Sequence, residues 1–368
     1  MRNGKNRVYE RQRSRFLDGY GSVLGDIYTT ATIAAAASMH MLPGRRVWNV
    51  RALSECLACL SLLLSCAPAL AHPVDTLSTG AALYLWSIDP YGAVLMTLLA
   101  LAYARGQLGL FRRAGARAQR RARAASFWVG WTALAIALGP PLDALTAVSF
   151  AAHMGQHEIM MLVAAPLLVM ARPLGVLLWG LPNGLARCAA AIVQARAVRR
   201  SAAWMCAPLA AWVIHAGVLW GWHVPMAFEA GLASEAMHWL QHASFFAAAL
   251  IFWGSVFARG HAGERRGPAI ISVLTTAIHT TLLGTLLTIS ARVWYPTYAE
   301  AANPWHLSAI EDQQLGGLIM WVPGGMIFVI VGVALMALWL KEVGARGSRD
   351  ALTSVCKDTR PYPRHRAH

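Results

Sequence analysis

The chain alternates long apolar segments with short clusters of basic residues. Seven of the apolar segments are each close to the ~20 residues that cross a bilayer as an α-helix. Their bounds are 84–104, 125–142, 147–170, 204–224, 236–257, 268–290 and 314–340. The pattern predicts an all-α fold, a polytopic membrane bundle of seven transmembrane helices within one membrane domain, residues 72–340.

The positions of the basic residues predict how these helices are oriented. The connections 105–123, 171–203 and 258–267 and the tail 341–368 are rich in arginine or lysine, whereas the connections on the opposite side carry only Arg292. By the positive-inside rule the first group is cytoplasmic. The bundle is therefore expected to have its N-terminus outside and a basic C-terminal tail inside.

The residues before the bundle divide into two parts. Residues 1–40 are polar and basic and are expected to be a disordered or non-native leader. Residues 41–71 begin with arginines, continue with an apolar run and end in Ala69-Leu70-Ala71. That order is typical of a secretory signal peptide cleaved before His72. Because the apolar run is long for a cleaved peptide, an uncleaved signal anchor is the alternative.

Composition favours a protein of the lipid bilayer over a nucleic-acid binder. The chain is 57% hydrophobic and 13% charged, with a formal net charge of +15, whereas a soluble domain carries about 25% charged residues. The basic residues lie in short clusters between apolar runs, so the net charge reflects membrane topology and no nucleic-acid partner is expected. The six cysteines are scattered and predict no disulfide framework.

Five histidines are predicted to lie at the same end of three helices. His153 and His157 are on the third helix, His223 ends the fourth, and His238 and His242 open the fifth. Side chains four residues apart project from one helix face, and ionisable groups inside a bilayer are costly and usually functional. Because neutral imidazole binds copper, zinc and iron, these histidines predict a metal site near the outer face. Hydrogen bonding between helices is the structural alternative.

Other polar residues are weaker candidates. His215 and His279 are predicted mid-span and structural, although His279 could supply an inner ligand, and His306 lies in an external loop. Three carboxylates lie near the outer half of the bundle: Asp143, Glu158 and Asp312. A carboxylate there could orient an imidazole, and Asp312 could equally cap the seventh helix.

Several motifs accompany the histidines. They are Trp86-x-Ile-Asp89-Pro90, His153-Met-Gly-Gln156-His157, Trp222-His223-x-Pro225, His238-Trp-Leu-Gln241-His242 followed by Phe245, and Asp312-Gln313-Gln314 with Gly317, Trp321, Pro323 and Gly324. Through them residues 80–340 resemble the CtaG family of cytochrome c oxidase assembly factors, the polytopic membrane type. The resemblance implies a bacterial plasma-membrane protein that is not an enzyme and that supplies copper to oxidase subunits. Gln241 departs from the family pattern, in which an acidic residue is frequent.

Three other functions remain open. A metal-free scaffold would hold oxidase subunits and use its histidines only structurally. A di-iron membrane oxidase also uses H-x-x-x-H pairs, but such enzymes need more histidines, including adjacent pairs, on the cytoplasmic side. A haem carrier takes one ligand from each of two facing helices, whereas an i,i+4 pair on one helix face cannot ligate both sides of one ring.

Overall fold

A computed structural model describes residues 90–111, 117–258, 266–301 and 303–358 of this chain. Helices and their connections make up these residues, and no strand occurs among them. The all-α prediction is therefore confirmed. The predicted leader 1–40 and signal segment 41–71 lie outside the described residues.

The described elements follow one another as a series of helices of unequal length. In chain order they are α1 Pro90–Phe111, α2 Arg117–Leu138, α3 Leu142–Thr146, α4 Phe150–Glu158, α5 Ala165–Ala171, α6 Leu174–Gly180, α7 Asn183–Gln194, α8 Arg196–Met205, α9 Pro208–His223, α10 Pro225–Ala233, α11 Glu235–Val256, α12 Arg266–Ile289, α13 Ala309–Trp321 and α14 Pro323–Asp358. A π-helix, Ile159–Ala164, joins α4 to α5, and a 3₁₀ turn, Pro296–Ala299, lies between α12 and α13.

Within the described residues, each of the seven predicted membrane segments lies largely on a helix or on consecutive helices. Among the residues that the structure describes, four stretches are long and apolar enough to cross a membrane: Pro90–Leu110, Phe150–Ala171, Arg266–Ile289 and Ala309–Gly344. A fifth is added if α8 and α9, which are bent by 76°, form one broken span. Arginines open α2, and histidines and a glutamine open α11, which lowers the apolar character of both. Seven crossings and the orientation of the termini stay predictions.

The third predicted segment is continuous but changes its hydrogen-bond register in the middle. In the π-helix the Ala165 N–H bonds to the carbonyl of Met160, five residues earlier. The same register would assign Pro166 to the carbonyl of Met161, and proline has no N–H to give. The indole Nε1 of Trp253 on α11 donates to this carbonyl instead, at 2.9 Å. The freed backbone group is thus satisfied by a neighbouring helix, as burial in an apolar bundle requires.

Aromatic rings of α11 separate two levels of the core. Phe245 and Phe252 are 0% and 1% exposed and lie two helical turns apart on α11. Phe245 contacts His157, with ring centroids 4.5 Å apart, and Phe252 contacts His215 at 4.8 Å. The histidines therefore lie at two depths along α11, with apolar rings between them.

The contact between α12 and α13 depends on two facing glycines. A Cβ added to Gly317 would lie 2.6 Å from the carbonyl oxygen of Gly284 and 2.8 Å from the backbone nitrogen of Thr288. Because backbone atoms cannot rotate away, we expect Gly317→Ala to push the helices apart. The cost of such overpacking is about 1–3 kcal/mol in the free energy of unfolding, measured as a lower midpoint of unfolding in detergent.

Gly217→Ala on α9 is the matched control, since nothing lies within 4 Å of its added Cβ. Alanine is also the better helix former, so this variant should be as stable as the parent chain or more stable. Equal unfolding midpoints for the two variants would contradict the close approach of α12 and α13.

Candidate metal centre

Two helices bring four histidines together at one end of the bundle. His153 and His157 project from α4, and His238 and His242 project from the first two turns of α11. The ligand atoms of His153, His238 and His242 all lie within 4.8 Å of one another. His157 joins the group through His153, and its ring centroid is 5.2 Å from that of His242. We call these four residues the outer histidine cluster.

Each pair is close enough to share an ion. The Nε2 atoms of His153 and His157 are 3.1 Å apart, and those of His238 and His242 are 3.0 Å apart. Two nitrogens bound tetrahedrally to one ion at about 2.0–2.1 Å would be about 3.3 Å apart. Without an ion, each pair forms an N–H···N hydrogen bond, so metal binding would displace a shared proton.

A tyrosine fixes the tautomer of His153. The hydroxyl of Tyr298 donates to the carbonyl oxygen of Thr146 at 2.9 Å, and it lies 3.0 Å from Nδ1 of His153. Burial raises the pKa of Tyr298 well above its ordinary value, so the phenol keeps its single proton. Nδ1 of His153 must then be the donor to Tyr298. Its Nε2 therefore carries the lone pair, which accepts the N–H of His157 in the absence of an ion and would bind a metal ion in its place. A ligand histidine that donates its other N–H in this way is typical of metal sites.

His223 lies apart from the outer histidine cluster. Its Nδ1 is 2.7 Å from the carbonyl oxygen of Leu219 and must donate to it, which leaves the buried Nε2 with a lone pair. The rings of Phe228 and Phe245 lie beside it, with centroids 6.3 and 6.0 Å away. Among the five predicted ligands, the ligand atoms of His153, His238 and His242 converge. His157 adjoins them through His153, and His223 lies beside Phe228 and Phe245.

A loop after α12 covers this end of the bundle. Tyr295 stacks on Phe150, with ring centroids 4.9 Å apart, and donates its hydroxyl to the carbonyl oxygen of His223 at 2.9 Å. Tyr298 from the same loop reaches His153. Neither tyrosine was predicted as part of the site. Their place in the short aromatic run 294–298, in the loop between α12 and α13, is the signal that could have indicated them.

Asp312 neither orients an imidazole nor caps the seventh predicted helix, the two roles expected from the sequence. Its carboxylate accepts hydrogen bonds from Ser149 Oγ at 2.7 Å, Phe150 N at 2.6 Å and Ala151 N at 3.3 Å. It therefore binds the N-terminus of α4, three residues before His153, where backbone N–H groups lack helical partners. The N-terminus of α13 is capped instead by Ser308, in a capping box with Glu311.

The other two carboxylates are arranged differently. Asp143 accepts a 2.8 Å hydrogen bond from Nε2 of Gln156, which also donates to the carbonyl of Ala137. Glu158 has a buried oxygen and lies against Gly324, where an added Cβ would come within 2.7 Å of its Oε2.

The remaining polar candidates lie at the margins of the cluster or away from it. Gln241, next to His242, is buried and its amide lies against Gly231. His306 is exposed in the loop between α12 and α13. His215 and His279 lie on α9 and α12, at the deeper level of the core.

Comparisons with known proteins give a family whose model matches most of this chain. Residues 101–342 match the model of a family described as cytochrome c oxidase caa3 assembly factor (Caa3_CtaG). Uncharacterized proteins of Mycobacterium bovis and Mycobacterium tuberculosis are each 25% identical over 291 residues, which is 75% of this chain and 43% of theirs. The chain thus spans less than half the length of these relatives. No solved structure matches it.

Removing the Tyr298 hydroxyl tests whether it prepares His153 as a ligand. Tyr298→Phe leaves the His153 N–H without its acceptor, so the ring can adopt the other tautomer. We expect the affinity for a transition-metal ion to fall about 10–100-fold, the usual effect of losing such a partner, in a titration against a competing chelator.

Tyr295→Phe is the matched control, because the Tyr295 hydroxyl bonds to a backbone carbonyl and not to an imidazole. Its metal affinity should equal that of the parent chain. If both variants bound metal as the parent does, the hydroxyl of Tyr298 would have no part in ligation.

The position of α4 should depend on the charge of Asp312. Asp312→Asn keeps the shape of the side chain but replaces one of its two acceptor oxygens with an NH₂ group. That group cannot accept the hydrogen bonds that Ser149, Phe150 and Ala151 donate to the carboxylate. We expect the free energy of unfolding to fall by about 1–3 kcal/mol, the cost of leaving a buried donor unpaired, in thermal or denaturant unfolding. Glu311→Gln, in the exposed capping box one residue away, should have a smaller effect. A larger loss for Glu311→Gln would contradict this assignment.

Proposed function

The chain belongs to the family of cytochrome c oxidase caa3 assembly factors, and from this we propose that it binds copper at the outer histidine cluster and supplies the ion to an oxidase subunit. The observation that carries the proposal is the convergence of ligand atoms from His153, His238 and His242 within 4.8 Å. No catalysis is part of this function. Copper is a cargo here, taken up and handed on.

The chemistry of the cluster suits copper. Its donors are imidazole nitrogens, which copper accepts readily in either oxidation state. Three or four neutral ligands compensate no charge on the ion, so it can be released to a site that also offers thiolate. His153 is held for ligation by Tyr298, while His157 and His242 are paired within their own helices.

One member of the cluster is suited to exchange the ion with the outside. His238 is only half-buried, whereas His153 and His242 are buried. It lies in the first turn of α11, beside the exposed Glu235 and Ala236. An ion would arrive at His238 and pass to the two buried rings, and it would leave by the same route. When the ion leaves, one Nε2 of each pair carries a proton again and donates it to the lone pair of the other Nε2, which restores the hydrogen-bonded pairs.

The placement in the cell follows from the charge pattern. With seven crossings and the basic connections in the cytoplasm, the cluster lies below the external surface of the bacterial plasma membrane. The partner is then an oxidase subunit that takes up copper on that side. The bilayer itself is the other partner of the bundle.

A metal-free scaffold is the second candidate, and one observation favours it. The histidines of each pair hydrogen-bond to one another, so they have partners without any ion. In that case the chain would only hold oxidase subunits during assembly, and the cluster would connect α4 to α11.

Histidine variants separate the two functions. We expect His153→Ala and His242→Ala to lose a single bound copper ion per chain in elemental analysis, and cells with either variant to lack oxidase activity at normal levels of the protein. His306→Ala, in the exposed loop, is the control and should retain both. Full oxidase activity in both cluster variants would leave the scaffold as the function.

A further inference from the structure

A second group of polar side chains lies deeper in the bundle, between α9 and α12. Trp212 and His215 are three residues apart on α9, and Thr276 and His279 are three residues apart on α12. The His279 ring contacts both α9 side chains, with centroids 5.7 Å from Trp212 and 6.2 Å from His215. We call these four residues the inner polar layer. It lies next to Phe252 and away from the outer histidine cluster.

Each member of the inner polar layer has a buried polar atom without a hydrogen-bond partner among the described residues. These atoms are Trp212 Nε1, His215 Nδ1, Thr276 Oγ1 and His279 Nε2. Buried polar groups in proteins nearly always have a partner, in the protein or in an ordered water. Four unpaired atoms in one layer of an apolar bundle therefore indicate a guest molecule that can form hydrogen bonds.

The tautomer of His279 determines which hydrogen bonds the bound molecule must accept. The indole Nε1 of Trp220 donates to Nδ1 of His279 at 3.4 Å. In a neutral imidazole whose Nδ1 accepts, Nε2 carries the proton. Nε2 of His279 is then a donor, as is the indole N–H of Trp212. Nδ1 of His215 accepts a hydrogen bond when the proton is on Nε2 and donates one in the other tautomer, and the hydroxyl of Thr276 can likewise serve in either role.

We infer that the inner polar layer binds an ordered water molecule that links His215 to His279. Water accepts two hydrogen bonds and donates two, which matches the donors Trp212 and His279 and the acceptors His215 and Thr276. Buried waters typically make about three hydrogen bonds to polar groups that lack other partners. A water between the two rings also accounts for imidazoles that contact each other without a direct hydrogen bond.

The donor and acceptor roles of the His279 nitrogens disfavour a metal ion in the inner polar layer. A ligating histidine donates its second N–H to an acceptor, as His153 does to Tyr298. His279 has the opposite arrangement, since its second nitrogen receives a hydrogen bond. The hydrogen bond from Trp220 thus argues against His279 as a metal ligand. This inference does not depend on copper being the cargo.

Nitrogen NMR of the full chain tests the inference. With ¹⁵N-histidine in detergent micelles, we expect His279 to show a protonated Nε2, an unprotonated Nδ1 and a cross-peak between Nε2–H and water. Variants His215→Phe and His279→Phe assign the resonances. Thr276→Val removes one partner of the water while keeping the side-chain shape, so it should weaken the cross-peak and lower the midpoint of unfolding.

Thr280→Val is the matched control, because the Thr280 hydroxyl donates to the carbonyl of Thr276 within its own helix. It should leave the water cross-peak unchanged. The inference would be overturned by an unprotonated Nε2 on His279, by the absence of the cross-peak, or by a more stable Thr276→Val. It would equally be overturned if Cu(I) shifted the ¹⁵N resonances of both inner histidines, which would make the layer a second metal site.

Discussion

The carboxylate of Asp312 at the N-terminus of α4 is the interaction on which the candidate site depends. It joins two helices that are far apart in the sequence, since Ser149 and Asp312 are separated by 163 residues. The bonded N–H groups belong to Phe150 and Ala151, so they fix both the depth and the rotation of the helix that carries His153. Because the negative charge faces the positive end of the helix dipole, the contact is favourable even where water is scarce.

The same requirement, that every buried polar group find a partner, organises the rest of the bundle. Tyr298 connects Thr146 to His153, Gln156 connects Asp143 to Ala137, and Trp253 completes the backbone of the third predicted segment. Each of these contacts also joins different helices or loops. Helices in an apolar surrounding gain little from hydrophobic association alone, so polar contacts of this kind determine which helices meet and at what register.

The sequence predicts the helices and the two histidine pairs that meet at one end of the bundle, because both depend on local patterns. Apolar runs of the right length become helices, and pairs four residues apart, such as His238 and His242, face the same way. Tyr298 could not be predicted, because it meets His153 across 145 residues of chain. The place of Phe228 beside His223 could not be predicted either, because Phe228 lies on α10, a short helix in a connection that has no membrane-length apolar pattern.

The π-helix Ile159–Ala164 has a geometric effect on both halves of its segment. An α-helix turns by about 100° per residue, so the additional residue in a π turn rotates everything after it relative to everything before it. The π-helix thereby changes the direction in which α5 faces relative to the face of α4 that carries His153 and His157. Deleting one residue from the π-helix would rotate one half of the segment against the other. Either the imidazoles of α4 would turn away from α11, or α5 would turn away from its own neighbours. The outer end can thus be oriented for ligands without disturbing how the inner end packs.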